Sequence, residues 1–304
     1  MAGGVITTGS HPKALWPGVH AWFGRAYEEY APEYVDLVDI ETSDKAYEEE
    51  VESTGFGLAS VKPQGRGFNY DTDSQGYTSR YTHLMYATGY IVTEEELEDN
   101  LYAEVSKRRA PDLAYALRQT KENVVALKYI RSSTAGYNGG DGVPLLSASH
   151  PTLFGLQSNI LANNADLSEA AVEDLCIQIG QTRNARGLVM KLMPETLHVS
   201  VGQSFDAHRI MKSVLQADTS QNAINVLRQM NAIPGGIKVN HYFTSDSAWF
   251  IRTNARHGLK LFQRRPVKFE KDNDFDTSNA KAKATERYSV GWSDWRALFG
   301  TPGV

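Results

Sequence analysis

Between residues 55 and 93 the chain carries Gly55, Gly57, Gly65, Gly67, Gly76 and Gly89, set among Tyr70, Tyr77, Tyr81, Tyr86, Tyr90, Ile91 and Val92. Glycine punctuation between tyrosine- and threonine-rich runs is the pattern of a long β-hairpin. Few aliphatic side chains lie near its tip, so the ribbon has little from which to build a core. A two-stranded ribbon alone in water is marginal at best. This one needs another surface to lie on, and an identical molecule would supply it. That requirement favours a fold that throws out an arm and is completed by assembly.

The segments before the ribbon are of two kinds. Residues 1–18 are small and polar, with Gly3, Gly4, Gly9 and Gly18, and read as a flexible arm. A short helix is expected over 19–31, with Trp22, Phe23 and Tyr27 near one face and Pro32 as its stop. From 28 to 52 the chain is acidic: Glu28, Glu29, Glu33, Asp36, Asp39, Glu41, Asp44, Glu48, Glu49, Glu50 and Glu52, against Lys45. Such a run is either a solvated face or a surface that meets a basic patch. The basic residues that would suit it are Lys260, Arg264, Arg265, Lys268, Lys281, Lys283 and Arg287.

After the ribbon, Thr93 with Glu96 forms a capping box, and the acidic first turn suits the helix dipole. A helix is expected to about 132, kinked or restarted at Pro111, with Leu113, Leu117, Val124 and Leu127 as its apolar stripe. At 1.5 Å per residue it would span roughly 55 Å, a spine rather than a compact-domain helix. A second helix is expected over 168–186, capped by Ser168, with Val172, Leu175, Cys176 and Ile179 on one face and Gly187 as its stop. Strands follow at 188–193 and 197–201. A helix over 205–217 would bury Ala207, Ile210, Met211, Val214 and Leu215. Further strands are expected at 237–243 and 248–252, and at 258–270 and 286–296, the last two as a long hairpin with a polar tip at 271–285. The pattern is mixed α+β, with no internal repeat.

Bulk properties exclude several classes. The 304 residues are 41% hydrophobic and 22% charged, ordinary for a globular protein. A formal charge of -5 argues against a protein that coats nucleic acid. One cysteine, Cys176, forbids an intrachain disulfide and reads as a small core residue. No apolar run approaches the length of a membrane helix, and Met1 to Pro17 lacks the basic start and apolar core of a secretory signal. A soluble protein made in the cytosol, without membrane contact, is expected.

The loop Gly139-Gly140-Asp141-Gly142-Val143-Pro144-Leu145-Leu146-Ser147-Ala148-Ser149-His150-Pro151 carries the candidate chemistry. A hydrolase reading would use Asp141, Ser147, Ser149 and His150. Adjacent Ser149 and His150 tend to diverge, and there is no Gly-x-Ser-x-Gly elbow. The plainer reading is a turn whose hydroxyls satisfy backbone groups. No Gly-Lys-Ser/Thr follows the glycines, and no His-Glu-x-x-His occurs, so neither a phosphate loop nor a zinc site is expected. No cofactor, metal or catalytic residue is assigned.

Three stretches carry a family resemblance. They are 141–151; Asp246-Ser247-Ala248-Trp249-Phe250 with Lys260-Leu261-Phe262 and Arg265-Pro266-Val267; and Arg287-Tyr288-Ser289-Val290-Gly291-Trp292-Ser293-Asp294-Trp295-Arg296. In order and spacing, over about 50–300, the chain resembles the major capsid proteins of tailed bacteriophages, of the type seen in Mu-like heads. The resemblance implies the α+β fold named after the Hong Kong coliphage. It implies an N-terminal arm over 1–54, an extended loop over 55–93 and a peripheral domain with the spine helix over 94–194. An axial domain over 195–255 and a return to the peripheral domain over 256–304 complete it.

The implied function is self-assembly into hexamers and pentamers of an icosahedral head enclosing double-stranded DNA, contacted weakly and non-specifically, in a virion built in the bacterial cytoplasm. Only about 55 residues precede the ribbon. That implies a separate scaffolding protein or a very short internal guide, alongside a portal and a possible decoration protein. Expected subunit contacts are Lys62, Arg66, Phe68, Tyr70, Tyr77, Arg80 and Tyr81, with Glu48, Glu49 and Glu50, and Arg264, Arg265 and Lys268. Some family members crosslink an extended-loop lysine to a neighbour's asparagine; Lys62 lies in the corresponding region. The rival readings are an encapsulin-like shell around protein cargo, which shares the fold, and the hydrolase.

Overall fold

The structure, a computed structural model, describes residues 23–25, 27–28, 31–93, 95, 102–215, 224–273 and 279–303. In chain order its elements are α1 (Tyr34–Leu37), β1 (Asp39–Thr42), β2 (Tyr47–Ser53), β3 (Gln75–Thr82), β4 (Leu84–Val92), α2 (Tyr102–Ile130), β5 (His150–Thr152), β6 (Gly155–Gln157), α3 (Glu169–Gln181), β7 (Pro194–Ser200), α4 (Ser204–Lys212), α5 (Val226–Gln229), β8 (Ile237–Asn240), β9 (Trp249–Thr253), β10 (Leu259–Asn273), β11 (Ala280–Trp292) and β12 (Leu298–Thr301). The mixed α+β class expected from the sequence is the one found.

Two four-stranded sheets organise the body. One has the order β1-β10-β11-β4, the other β12-β9-β7-β8. In β11 the residues alternate. Ala280, Ala282, Ala284, Glu286 and Tyr288 are buried on one face, while Lys281 and Lys283 are exposed on the other. The small alanines let helix α2 lie close on the sheet. There Ala110, Leu113, Ala114 and Leu117 pack with Phe269, Ala282, Ala284 and Phe23. The larger core joins the far end of α2, through Val125 and Tyr129, to α3 and the second sheet.

Helix α2 fastens three parts of the chain. The Lys121 ammonium lies 2.6 Å from Glu286 and 2.7 Å from the Gln263 side chain, fully inside the helix–sheet interface. The Glu122 carboxylate accepts the backbone N–H groups of Glu33 and Tyr34 at 3.1 and 2.8 Å, holding the start of α1. Burial raises the Glu122 pKa, and those two N–H donors act against it. Tyr129 donates to the Leu37 carbonyl at 2.6 Å.

Several expectations are corrected. The ribbon does not close on itself within 55–93. Strand β3 pairs back to β2, from Tyr47↔Thr82 to Ser53↔Gln75, and β4 joins the body sheet on β11. The pairing partner is the glutamate-rich run, whose alternation of exposed and half-buried side chains is a strand signature hidden beneath its charge. Helix α2 runs through Pro111 as one element. A proline inside a helix costs about 3 kcal/mol, which the tertiary packing on either side of it offsets. Glu96 of the expected cap and the arm at 1–18 lie outside the described residues.

Helix α3 is capped by Ser168, as expected, but ends at Gln181. Gly187, with φ +85°, turns a later loop. Residues 188–193 form that loop rather than a strand, with Val189 and Met193 exposed. Helix α4 stops at Lys212, leaving Val214 and Leu215 exposed beyond it. The closing hairpin pairs from Leu259↔Trp292 to Asn273↔Ala280, so its tip is shorter than 271–285.

Removing one partner of a buried ion pair leaves the other charge uncompensated. Lys121→Met is therefore expected to lower unfolding stability by about 3–5 kcal/mol, and Lys121→Met with Glu286→Leu to recover most of it. Urea unfolding of the subunit followed by circular dichroism measures both.

Candidate functional site

The protruding part is the ribbon β2–β3 with its tip, 54–74, which has no regular strand pairing. Phe56, Leu58, Val61, Phe68 and Tyr70 are 65%, 83%, 93%, 70% and 89% exposed. Exposed apolar side chains concentrated in one short segment make it a candidate interaction surface. Within the tip, the Lys62 ammonium sits 4.4 Å from the Phe68 ring centroid, and a turn at 63–66 is closed by the Arg66 N–H on the Pro63 carbonyl at 3.2 Å. Asp71 accepts the Gly57 N–H at 2.6 Å and the Arg186 guanidinium at 2.8 and 3.0 Å. Those donors, led by the Gly57 N–H, hold the exposed Asp71 carboxyl down at about 2.

The root is built very differently from the tip. On β2 the half-buried glutamates face the body. Glu50 contacts Lys260 and the Ser293 hydroxyl, and Glu52 lies 3.3 Å from the buried Arg296 guanidinium. Burial raises the Glu52 pKa, with Arg296 opposing. On β3, Tyr81 is buried with its hydroxyl on Ser293 and its ring edge-on to Phe262 at 4.8 Å. Gly140 lies against the Thr78 carbonyl, where a Cβ would stand 2.7 Å from that oxygen. The glycine-rich loop thus supports the ribbon from below.

These placements divide the expected contact residues. Lys62, Arg66, Phe68 and Tyr70 are in the bare tip. Arg80 covers the Tyr47 ring at 3.9 Å and lies 3.7 Å from Glu49, on the ribbon's outer side. Tyr77 is half-buried against the core, and Tyr81 and Glu50 root the ribbon in its own subunit. Glu48 is held by Ser43 and Lys45, which lower its pKa. Arg264 faces Asp44 at 3.7 Å, Arg265 donates to Thr285 at 2.9 Å, and Lys268 pairs with Glu270. The acidic run does meet basic residues, within one chain: Glu41 and Glu50 on Lys260, Asp39 on Arg252, Asp36 on Lys238. Arg186 was not singled out from sequence, and Ser293 and Arg296 stood there only within the family resemblance, because nothing local marks a side chain as the partner of one over 100 positions away.

The hydrolase constellation is used structurally. His150 is fully buried and stacked on Trp295 at 4.3 Å; its Nδ1 lies 2.6 Å from Asp141 and its Nε2 3.1 Å from the Asn159 side-chain oxygen. Neither ring nitrogen meets a serine, and the Ser147 hydroxyl instead accepts the Ser149 N–H at 3.1 Å. Asn159 also donates to the carbonyls of Leu145 and Leu298, locking the loop to β12. Among the described residues no cluster suits a metal ion. Burial pushes the Cys176 thiol up to about 11, the range of an unreactive core cysteine.

The family described as phage capsid protein matches residues 76–300. Among solved structures, the chain is similar to a virus-like particle from Pyrococcus furiosus, with a TM-score of 0.53 and 11% identity over 94% of this chain and 98% of that one. It is similar to a structure of Microbacterium phage Oxtober96, at 0.54 and 10% over 90% and 91%. It is also similar to the capsid of a native GTA particle, at 0.54 and 11% over 99% and 91%. At such identities the likeness establishes a shared fold. None of the curated proteins matches the sequence.

The root geometry carries its own test. Gly140→Val places side-chain atoms against the Thr78 backbone, a strain of about 1–3 kcal/mol. Faster amide exchange at 75–82, with β7 and β9 unchanged, is the expected outcome by hydrogen-exchange mass spectrometry.

Proposed function

We infer, from the premise that this chain belongs to the phage capsid protein family, that the ribbon 47–82 is what joins one subunit to the next. The chain is a major capsid protein, a structural component of a virion shell that assembles with copies of itself. The finer reading is assembly into hexamers and pentamers of an icosahedral head around double-stranded DNA, built in the host cytoplasm. In it the chain divides into arm, extended loop, peripheral domain with α2 as spine, and axial domain. A separate scaffolding protein, a portal and a decoration protein are its proposed partners.

The observation that carries this reading is the contrast between the ribbon's two ends. The root is anchored by buried contacts, while five large apolar side chains at the tip remain bare. Burying each of them on a neighbour would contribute roughly 1.5–3 kcal/mol. The exposed apolar residues Val201, Phe205, Val214, Ile224 and Met230 offer a second surface, in the proposed axial domain. A net acidic subunit suits loose confinement of DNA, because strong phosphate binding would oppose packing and release. The rival compartment shell would share this fold; the family match favours the phage head.

Replacing Phe56, Leu58, Val61 and Phe68 by serine is expected to leave a folded subunit that forms no shells in negative-stain images. Shells at the normal yield would remove the ribbon from its proposed role. Nucleic acid recovered from shells formed with the neighbouring gene products separates a phage head from a cargo compartment.

A further inference from the structure

The chain passes between the ribbon and the body sheet at two points. One is the short link 43–46 between β1 and β2; the other is a single residue, His83, between β3 and β4. Thr82 is still paired with Tyr47 in the ribbon, and Leu84 is already paired with Tyr288 in the body. There is no slack, so any rotation of the ribbon on the body bends the backbone at these links. Both meet in one buried node. His83 Nε2 lies 3.1 Å from the Ser43 hydroxyl and Nδ1 lies 3.0 Å from the Ser289 hydroxyl of β11. All three residues are buried.

The hydrogen bonds have one consistent direction. The Ser43 hydroxyl donates to the Glu48 carboxylate at 2.7 Å and accepts the Lys45 N–H at 3.2 Å, so its proton is already committed. Ser43 therefore accepts from His83, which carries its hydrogen on Nε2, and the bare Nδ1 accepts from Ser289. The node is assembled around a neutral imidazole.

We propose that His83 is a proton-sensitive lock on the crossover between ribbon and body, closed while its ring is neutral and loosened when the ring takes up a proton. A second proton on Nδ1 would force the Ser289 hydroxyl to turn away and would place a cation in a buried site. The charged groups that face it are Arg287 on β11, Glu48 on β2 and Arg264 on β10. Arg264 has Asp44 at 3.7 Å as its own counter-ion. Burial is the main cause that holds the His83 pKa below the ordinary histidine value of 6.5; Arg287 and Arg264 add to it and Glu48 opposes it.

The sign follows by linkage. A swung-out ribbon exposes the ring, which then titrates near the ordinary histidine value, so the open state binds the proton more readily. The lock's contribution is complete above about pH 6.5 and is lost as pH falls from there through the pKa of the closed state. The lock itself stands apart from the assembly reading. Its use, to let the ribbon be re-aimed onto a neighbour, rests on that reading.

Hydrogen-exchange mass spectrometry of the full-length soluble subunit from pH 7.5 to 5.0 tests it, with rates corrected to protection factors. Peptides spanning 43–49 and 80–85 are expected to lose protection by up to about tenfold per pH unit below 6.5, one proton's worth. Peptides in α3, which carries no histidine, are expected to hold steady, whereas β7 and β9 lose protection equally in wild type and variant, because their buried His198, pushed down to about 3, takes up a proton on opening. Protonation of Glu52 would register nearer the tip, at 50–54 and 75–78. His83→Gln keeps a neutral donor and acceptor and is expected to flatten the response at the crossover.

A flat wild-type profile, or an equal loss in His83→Gln, overturns the lock. If that variant does not fold by circular dichroism, NMR titration of the wild-type His83 ring replaces it. A ring midpoint at or above about 6.5, or protection that goes on falling well below the ring midpoint, overturns the lock as well. Loosening at the crossover without any change in shell yield between pH 7.5 and 5.5 removes its use in assembly and leaves the lock standing.

Discussion

A two-stranded ribbon has no interior, so whatever fixes its direction must be found where it leaves the body. Here that place is crowded with buried polar contacts. Lys260 sits between Glu41 of β1 and Glu50 of β2, one cation tying the body sheet to the ribbon. The Ser293 hydroxyl donates to Glu50 and meets the Tyr81 hydroxyl. Arg296 reaches Glu52, Asp294 and the Arg183 carbonyl from beneath. A buried charge with several partners is costly to strip of any one of them, because the remainder is left unsatisfied. The ribbon thus behaves as a lever with a stiff root, and the body's two sheets and α2 serve to hold that root in position.

The acidic run shows how charge can be misread in one dimension. Eleven carboxylates against one lysine between 28 and 52 look like a face for another molecule. In the folded chain, Asp36, Asp39, Glu41, Glu50 and Glu52 point at cations drawn from residues 238–296. The charge asymmetry was visible and so was its basic counterpart; the contact is internal because β1 runs parallel beside β10. That leaves the tip, neutral in balance and with Phe56, Leu58, Val61, Phe68 and Tyr70 exposed, as the part with unspent contact potential.

The same geometry explains what could be read ahead of the structure. Helix α3 was legible because its signals are local: Ser168 at the cap and Val172, Leu175 and Ile179 at helical spacing. The closing hairpin was legible as two β-rich segments around a polar tip, though its true tip is shorter, since Lys281 and Lys283 alternate with buried alanines inside the ladder. The ribbon's incompleteness was legible from composition, but its pairing was not. Glu48, Glu49, Glu50 and Glu52 have low strand propensity, and the half-buried places of Glu50 beside Lys260 and Glu52 beside Arg296 help make β2 a strand. The loop at 139–151 stood out for its chemistry-bearing residues. Its role emerges only when Trp295 and Asn159, both distant in sequence, close around His150.

A stiff root and a bare tip together set the order in which free energy can be gained. If the root were loose, the tip's apolar side chains would be free to collapse onto their own subunit, and the surface proposed to meet a neighbour would be lost. If the root were immovable, a shell whose subunits meet at more than one angle would strain it at some positions. A root fixed by hydrogen bonds and ion pairs lies between these limits, because such contacts are strong in one geometry and weaken sharply when displaced. Apolar packing at the tip is less directional and tolerates small shifts of the surface it covers. The division of labour follows: directional contacts inside the subunit choose where the ribbon points, and in the proposed assembly non-directional contacts with a neighbour would reward it for arriving.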